Sequence, residues 1–191
     1  YQEVGLDEVG FRAARDAIDS DPALFSSHLF LSRSLQSTRD PFTYDLRLQT
    51  PQQSELLVAN LLAPEGAGNL SQSLSQQEQL SFFEGKKLGV STYSEYRSAG
   101  DGLQAASVFG QADHLSFAVD SQIVSLQGQH ANSDLEQFGY SLQAKQGLTL
   151  KDSVYLQIGT SHLESGDIAR HYDPNETKLT LRVEEDQNPY L

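Results

Sequence analysis

The feature that most constrains this chain is a strict two-residue alternation in its C-terminal half. In QFGYSLQAK, Phe138, Tyr140, Leu142 and Ala144 face one way, and Gln137, Gly139, Ser141, Gln143 and Lys145 face the other. SVYLQIGT repeats the pattern with Val154, Leu156 and Ile158, and KLTLRVEE with Leu179, Leu181 and Val183. Successive side chains of a strand point to opposite faces, so each stretch has one apolar and one polar face. Such stretches fall at 87–98, 103–112, 115–128, 135–145, 153–162 and 178–185. Between them lie AGDG, ADH, QHANSD, QGLTLKD and a long polar stretch, with the Gly, Asn and Asp that turns require. The expectation is a mainly β fold, an antiparallel up-and-down meander over 80–191.

The alternation leaves open what the apolar faces touch. Strands of about ten residues suit a tilted bilayer crossing, whereas strands of soluble domains average about five or six. Aromatics near predicted strand ends, Tyr93, Tyr96, Phe117, Tyr155 and Tyr190, would serve as interfacial girdles. A soluble β-sandwich or barrel, acting as an interaction module or extracellular structural module, fits the same pattern. Only 38% of residues are hydrophobic, and no run reaches the roughly 18 apolar residues of a spanning helix. A formal charge of -13 argues against nucleic acid as a partner, because phosphate binding needs a basic footprint. Without Cys there is no disulfide framework or thiolate chemistry. The chain opens on Tyr1 and contains no Met, so it is read as part of a longer product.

The first 64 residues read as helices. LDEVGFRAARDAIDSDP spaces Gly10, Phe11, Ala14, Ala17 and Ile18 at helical intervals, with Asp7 as a cap and Asp21-Pro22 as the stop. PALFSSHLFLSRSLQS follows, with Pro22 in its first turn and Leu24, His28, Leu31 and Leu35 on one stripe. Ser27, Ser32 and Ser34 are small fillers. PQQSELLVANLLAP gives a third helix between Pro51 and Pro64, apolar at Leu57, Leu61 and Leu62. Residues 65–79, EGAGNLSQSLSQQEQ, read as a linker.

On these residues the chain resembles a family of bacterial proteins that join periplasmic tetratricopeptide repeats to a C-terminal outer-membrane β-barrel. FRAARDAIDSDPALFSSHLFLSRSLQS looks like the end of one repeat and the start of the next, with Ala14, Ala17 and Ile18, then Asp21-Pro22, then Leu31, Ser32 and Leu35. SELLVANLL at 54–62, a Gly/Ser-rich connector and LSFFEGKKLGVSTYSEY at 80–96 hold the places of the junction and first strand. Gly85-Lys86-Lys87 stands where Arg-rich residues are expected. The resemblance implies a non-enzymatic outer-membrane barrel component for export, passage or anchoring of a complex. It implies a lipid bilayer and periplasmic or envelope proteins as partners, further strands from the same or a like chain, and no cofactor. Phe138, Tyr140, Leu142, Val154, Leu156, Ile158, Leu179, Leu181 and Val183 would face lipid.

Catalytic motifs are missing from the sequence: there is no G-x-S-x-G, P-loop, G-x-G-x-x-G or H-E-x-x-H. His28 reads as a packed helix residue, and His114, His130, His162 and His171 fall in or beside turns, at no metal-ligand spacing. Asp173, Asn175 and Glu176 offer oxygen ligands at short spacing, but a polar turn explains them better. Glu184, Glu185 and Asp186 read as a solvated strand end with a cation-attracting rim as the alternative. Barrels keep short turns on the periplasmic side and long loops outside. That rule puts the connection with Asp167, Arg170, Asp173 and Asn175 outside the cell. The turns at ADH and 147–152 would then lie on the periplasmic side, with the helices.

Overall fold

The computed structural model describes residues 7–37, 50–64, 88–128, 130–149, 152–167 and 180–190. The stretches 65–79 and 168–179, with Leu179, Arg170, Asp173 and Asn175, lie outside the described residues.

Three short helices come first: α1 (Asp7–Ser20), α2 (Phe25–Ser37) and α3 (Pro51–Leu62). α1 packs on α2, and α2 on α3. α2 begins later than the proline signal suggests. The Asp21 carboxylate accepts the Ala23 N–H at 3.1 Å and the Asp21 carbonyl accepts the Leu24 N–H at 3.2 Å, so 21–24 is held as a turn. Leu24 therefore precedes the helix and is exposed. α3 is opened by Thr50, whose side chain accepts the Gln53 N–H, with Pro51 in the first turn.

The α2–α3 contact is built on small and polar groups. Ser27, Ser32 and Ser34 are buried; Ser32 Oγ donates to the Gln52 carbonyl at 2.8 Å. His28 is buried too, with Nδ1 2.6 Å from Glu55 and Nε2 3.0 Å from the Pro22 carbonyl. The apolar stripe of α3 is Leu56, Ala59 and Ala63, packed with Phe25 and Leu29. The expected stripe at Leu57, Leu61 and Leu62 is out of phase: the buried positions step 52/53, 56, 59/60 and 63, which leaves Leu61 and Leu62 exposed.

The rest is one six-stranded antiparallel sheet in sequence order: β1 (Leu88–Tyr96), β2 (Gly102–Ala112), β3 (Leu115–Leu126), β4 (Leu135–Gly147), β5 (Ser153–Ser165) and β6 (Val183–Tyr190). Among the described residues β1 and β6 do not pair, so the sheet is not closed. Turn chemistry fits the first three reversals. Asp113 takes a left-handed φ of 50° in the tight β2–β3 turn, and Gly100, Gly128 and Asn132 do the same in the β1–β2 and β3–β4 connections.

β6 departs from expectation. It starts at Val183, because β5 runs on to Ser165 and pairs there with Val183. His162 accordingly lies inside β5, not beside a turn. Leu181 sits before the strand, where its carbonyl accepts from Asn132 Nδ2 at 2.8 Å.

Candidate functional site

The register defines two faces, and their polarity is inverted relative to burial. Cross-strand partners share a face. One row reads Val90, Val108, Val119, Leu142 and Ile158 across five strands. The rows beside it carry Leu88, Phe117, Ala144 and Leu156 on one side, and Thr92, Ala106, Ser121, Tyr140 and Thr160 on the other. Many of these side chains are exposed: Val90 66%, Ile123 48%, Phe138 46%, Tyr140 44% and Val154 55%. The carboxylates of this face, Glu136, Glu164, Glu184 and Asp186, gather with His162 at one end.

In β2, β3 and β4 the opposite face is mostly buried although much of it is polar, whereas Tyr93 of β1 and Val183 of β6 on the same face are exposed. In β4 burial alternates residue by residue: Gln137, Ser141, Gln143 and Lys145 are buried, while Phe138, Tyr140 and Leu142 are exposed. At the centre Asp120 lies between Ser107 and Ser141, and accepts from their hydroxyls at 2.6 and 3.3 Å. The carboxylate satisfies two serines at once, which is how a buried charge is tolerated. Apolar groups on this face form two small clusters, Phe109 with Ala118, and Leu103 with Val124 and Leu135.

Of the residues expected on the apolar face, Phe138, Tyr140, Leu142, Val154, Leu156 and Ile158 are brought together. Val183 is not: it pairs with Ser165 and lies on the polar face. Leu181 lies outside the strand. Among the aromatics, Tyr96 and Phe117 share the apolar face, whereas register puts Tyr93 and Tyr155 on the other.

The two ends of the sheet differ. One end holds the connections 97–101, 127–134 and 166–182, tied by Arg182 to Asp134 at 2.6 Å and by Asn132 to Leu181. The Arg182 hydrogen bond holds the Asp134 carboxyl below its ordinary 3.8. The other end holds the connections 113–114 and 148–152. There Lys145 Nζ donates to the carbonyls of Asn60, Leu61 and Ala63 at 2.7, 3.0 and 2.6 Å, joining the end of α3 to the polar face.

One grouping escaped the sequence reading because it exists only through register. His162 stands opposite Asp186 and Glu164 opposite Glu184. Ligand atoms of His162, Glu164 and Glu184 lie within 4.8 Å of one another. The His162 ring nitrogens are at 2.5 Å from Asp186 and 3.1 Å from Glu164, so the group stands as an exposed ion-pair cluster. The signal in the sequence was His-x-Glu in one strand and Glu-x-Asp in the next.

No family model, characterised protein or solved structure matches the chain. The three helices pack in sequence order, and a tetratricopeptide pairing is not shown by them.

Proposed function

We propose that this chain is a non-enzymatic segment of a bacterial outer-membrane β-barrel, with its helices on the periplasmic side, serving passage across the membrane or anchorage of an envelope complex. The observation that carries the reading is the inversion of the sheet: the apolar face is exposed and polar side chains are buried behind it. An apolar face of this breadth is costly in water, since burial of apolar surface is worth about 25 cal/mol per Å². In a bilayer the same face needs no covering, and the polar face lines the interior. Strand length supports it as well. β4 and β5 have 13 residues each. At about 3.4 Å per residue and a tilt of about 45°, such strands rise roughly 31 Å, close to the hydrocarbon thickness of about 30 Å. The resemblance to barrel proteins preceded by tetratricopeptide repeats supplies the direction of the helices.

The lack of β1–β6 pairing favours a second reading, a soluble β-rich interaction or structural module, because an open edge is not tolerated in lipid. Under the first reading, further strands of the same or a like chain complete the barrel. Cell fractionation decides. The barrel should sediment with the outer membrane, need detergent for extraction, and change gel mobility on boiling. An epitope inserted at Asp167 should be reached on intact cells and one at Gly147 should not. Recovery as a monodisperse protein in detergent-free buffer would remove the proposal.

A further inference from the structure

α3 is capped at Ala63, whose N–H donates to the Ala59 carbonyl at 2.9 Å and whose extended backbone does not fold the chain back over the later carbonyls. Its last turn carries no basic residue, and it runs into Ala63 and Pro64 without the glycine that would fold the chain back over its open carbonyls. A helix end exposes up to four such carbonyls and a partial negative charge. Here the sheet contributes: Lys145 as a residue is only 2% exposed, and its ammonium donates to the carbonyls of Asn60, Leu61 and Ala63. Among the described residues, a cleft of about 620 Å³ lies between the end of α3 and Leu148, Thr149 and Asp152, and Leu61 and Leu62 are exposed on its wall. The other titratable groups on its wall are His114 and Asp152, and the Asp152 carboxylate accepts from Thr149 Oγ1 at 2.7 Å.

We propose that Lys145 is a latch. It docks the helical segment onto the polar face at the short-turn end, and its release lets that segment swing clear. Charge-assisted hydrogen bonds at the rim of a cleft can exchange their partners for water without unpacking the apolar clusters of the sheet. Docked, α3 narrows that mouth of the polar interior. This last consequence rests on the barrel reading; the docking does not.

The chain has no Cys, so spin labels on Asp16→Cys and Gln146→Cys, both exposed positions, measure the helix-to-sheet distance by pulsed electron resonance in the full chain. The labelled protein with Lys145 intact should give one narrow distance. Lys145→Met should broaden it, and Lys145→Arg, which keeps the charge and the donors, should stay narrow. A narrow, unchanged distance in Lys145→Met overturns the latch. Should that variant fail to fold, amine acetylation of the unaltered protein decides. Lys145 should react at least about tenfold more slowly than in the urea-unfolded chain, because only the released state is open to reagent. Equal rates overturn the latch. Sugar entry into vesicles should be faster with Lys145→Met. Broadened distances with unchanged entry would keep the latch and overturn its effect on the mouth.

Discussion

Leu142→Arg separates water from lipid at a single position. Leu142 sits fourth in the row Val90, Val108, Val119, Leu142 and Ile158, near the middle of β4, with 38% of its surface exposed. If that surface met water, arginine there would change stability by no more than about 0.5 kcal/mol, the usual range for surface positions. If it meets lipid near the midplane, arginine costs about 2–4 kcal/mol. That is roughly a 30- to 900-fold loss in the folding equilibrium. Gln146 lies on the same face of the same strand and is exposed. It is about 13 Å further along the chain direction, toward the short-turn end. Arginine near an interface costs only about 0–1 kcal/mol, so Gln146→Arg should be close to silent. The assay is a urea titration of folding in phospholipid vesicles, with the folded fraction read from the mobility of unboiled samples. A lipid-facing Leu142 is refuted if Leu142→Arg folds within about 0.5 kcal/mol of the parent in vesicles, or if Gln146→Arg is equally damaging.

Two further outcomes test the sheet itself. A Cβ at Gly89 would overlap the buried ring of Phe109 on the neighbouring strand, so Gly89→Ala should cost about 1–3 kcal/mol in a urea titration, with Gly89→Ala/Phe109→Leu recovering part of it. Arg182 lowers the Asp134 pKa in the folded protein, so their contribution is present above pH 3.8 and is lost as pH falls through the lower folded value; the urea midpoint should drop below pH 3.8, and less so in Asp134→Asn.

The meander was legible because period-two alternation is a local property. A residue's face in β4 is fixed by its parity, and the expected grouping of Phe138, Tyr140 and Leu142 follows from that alone. β6 was misread for the same reason. Leu179, Leu181 and Val183 alternate perfectly, but strand limits are set by the partner, and β5 continues to Ser165, which starts β6 at Val183. Arg182 and the Leu181 carbonyl are instead engaged by Asp134 and Asn132, 48 and 49 residues away in sequence. The phase of α3 was lost in a similar way. Five apolar residues, Leu57, Val58, Ala59, Leu61 and Leu62, crowd its C-terminal half, and which of them pack depends on where Phe25 and Leu29 of α2 meet it. Lys145 is the clearest case. In the sequence it is one more polar-face residue of a strand; its three carbonyl partners lie more than eighty residues earlier. The His162 cluster likewise needs two strands in register before its groups meet.

The exposed face also carries its own vertical limits, and they bear on how the chain would sit. Its carboxylates, Glu136, Glu164, Glu184 and Asp186, fall at the end with the long connections 127–134 and 166–182. Carboxylates cannot lie in hydrocarbon without large cost, so that end would mark one boundary of an apolar band. On β4 the other boundary is Gln146, next to the short connection 148–152 and to the lysine that receives α3. From Glu136 to Gln146, at about 3.4 Å per residue, is roughly 34 Å along the strand. At the same tilt of about 45° this is roughly 24 Å of height, against about 25 Å for the apolar band of outer-membrane barrels. Loop length and the seat of the helices give the same orientation. The two longest connections, 127–134 and 166–182, share an end with the carboxylates, and the shortest, 113–114, shares the other with α3, while 97–101 and 148–152 are equal in length; nothing in the alternation of the strands requires that pairing. A chain entering its first strand from the helical side would therefore present its long, acidic end to the far side of the bilayer.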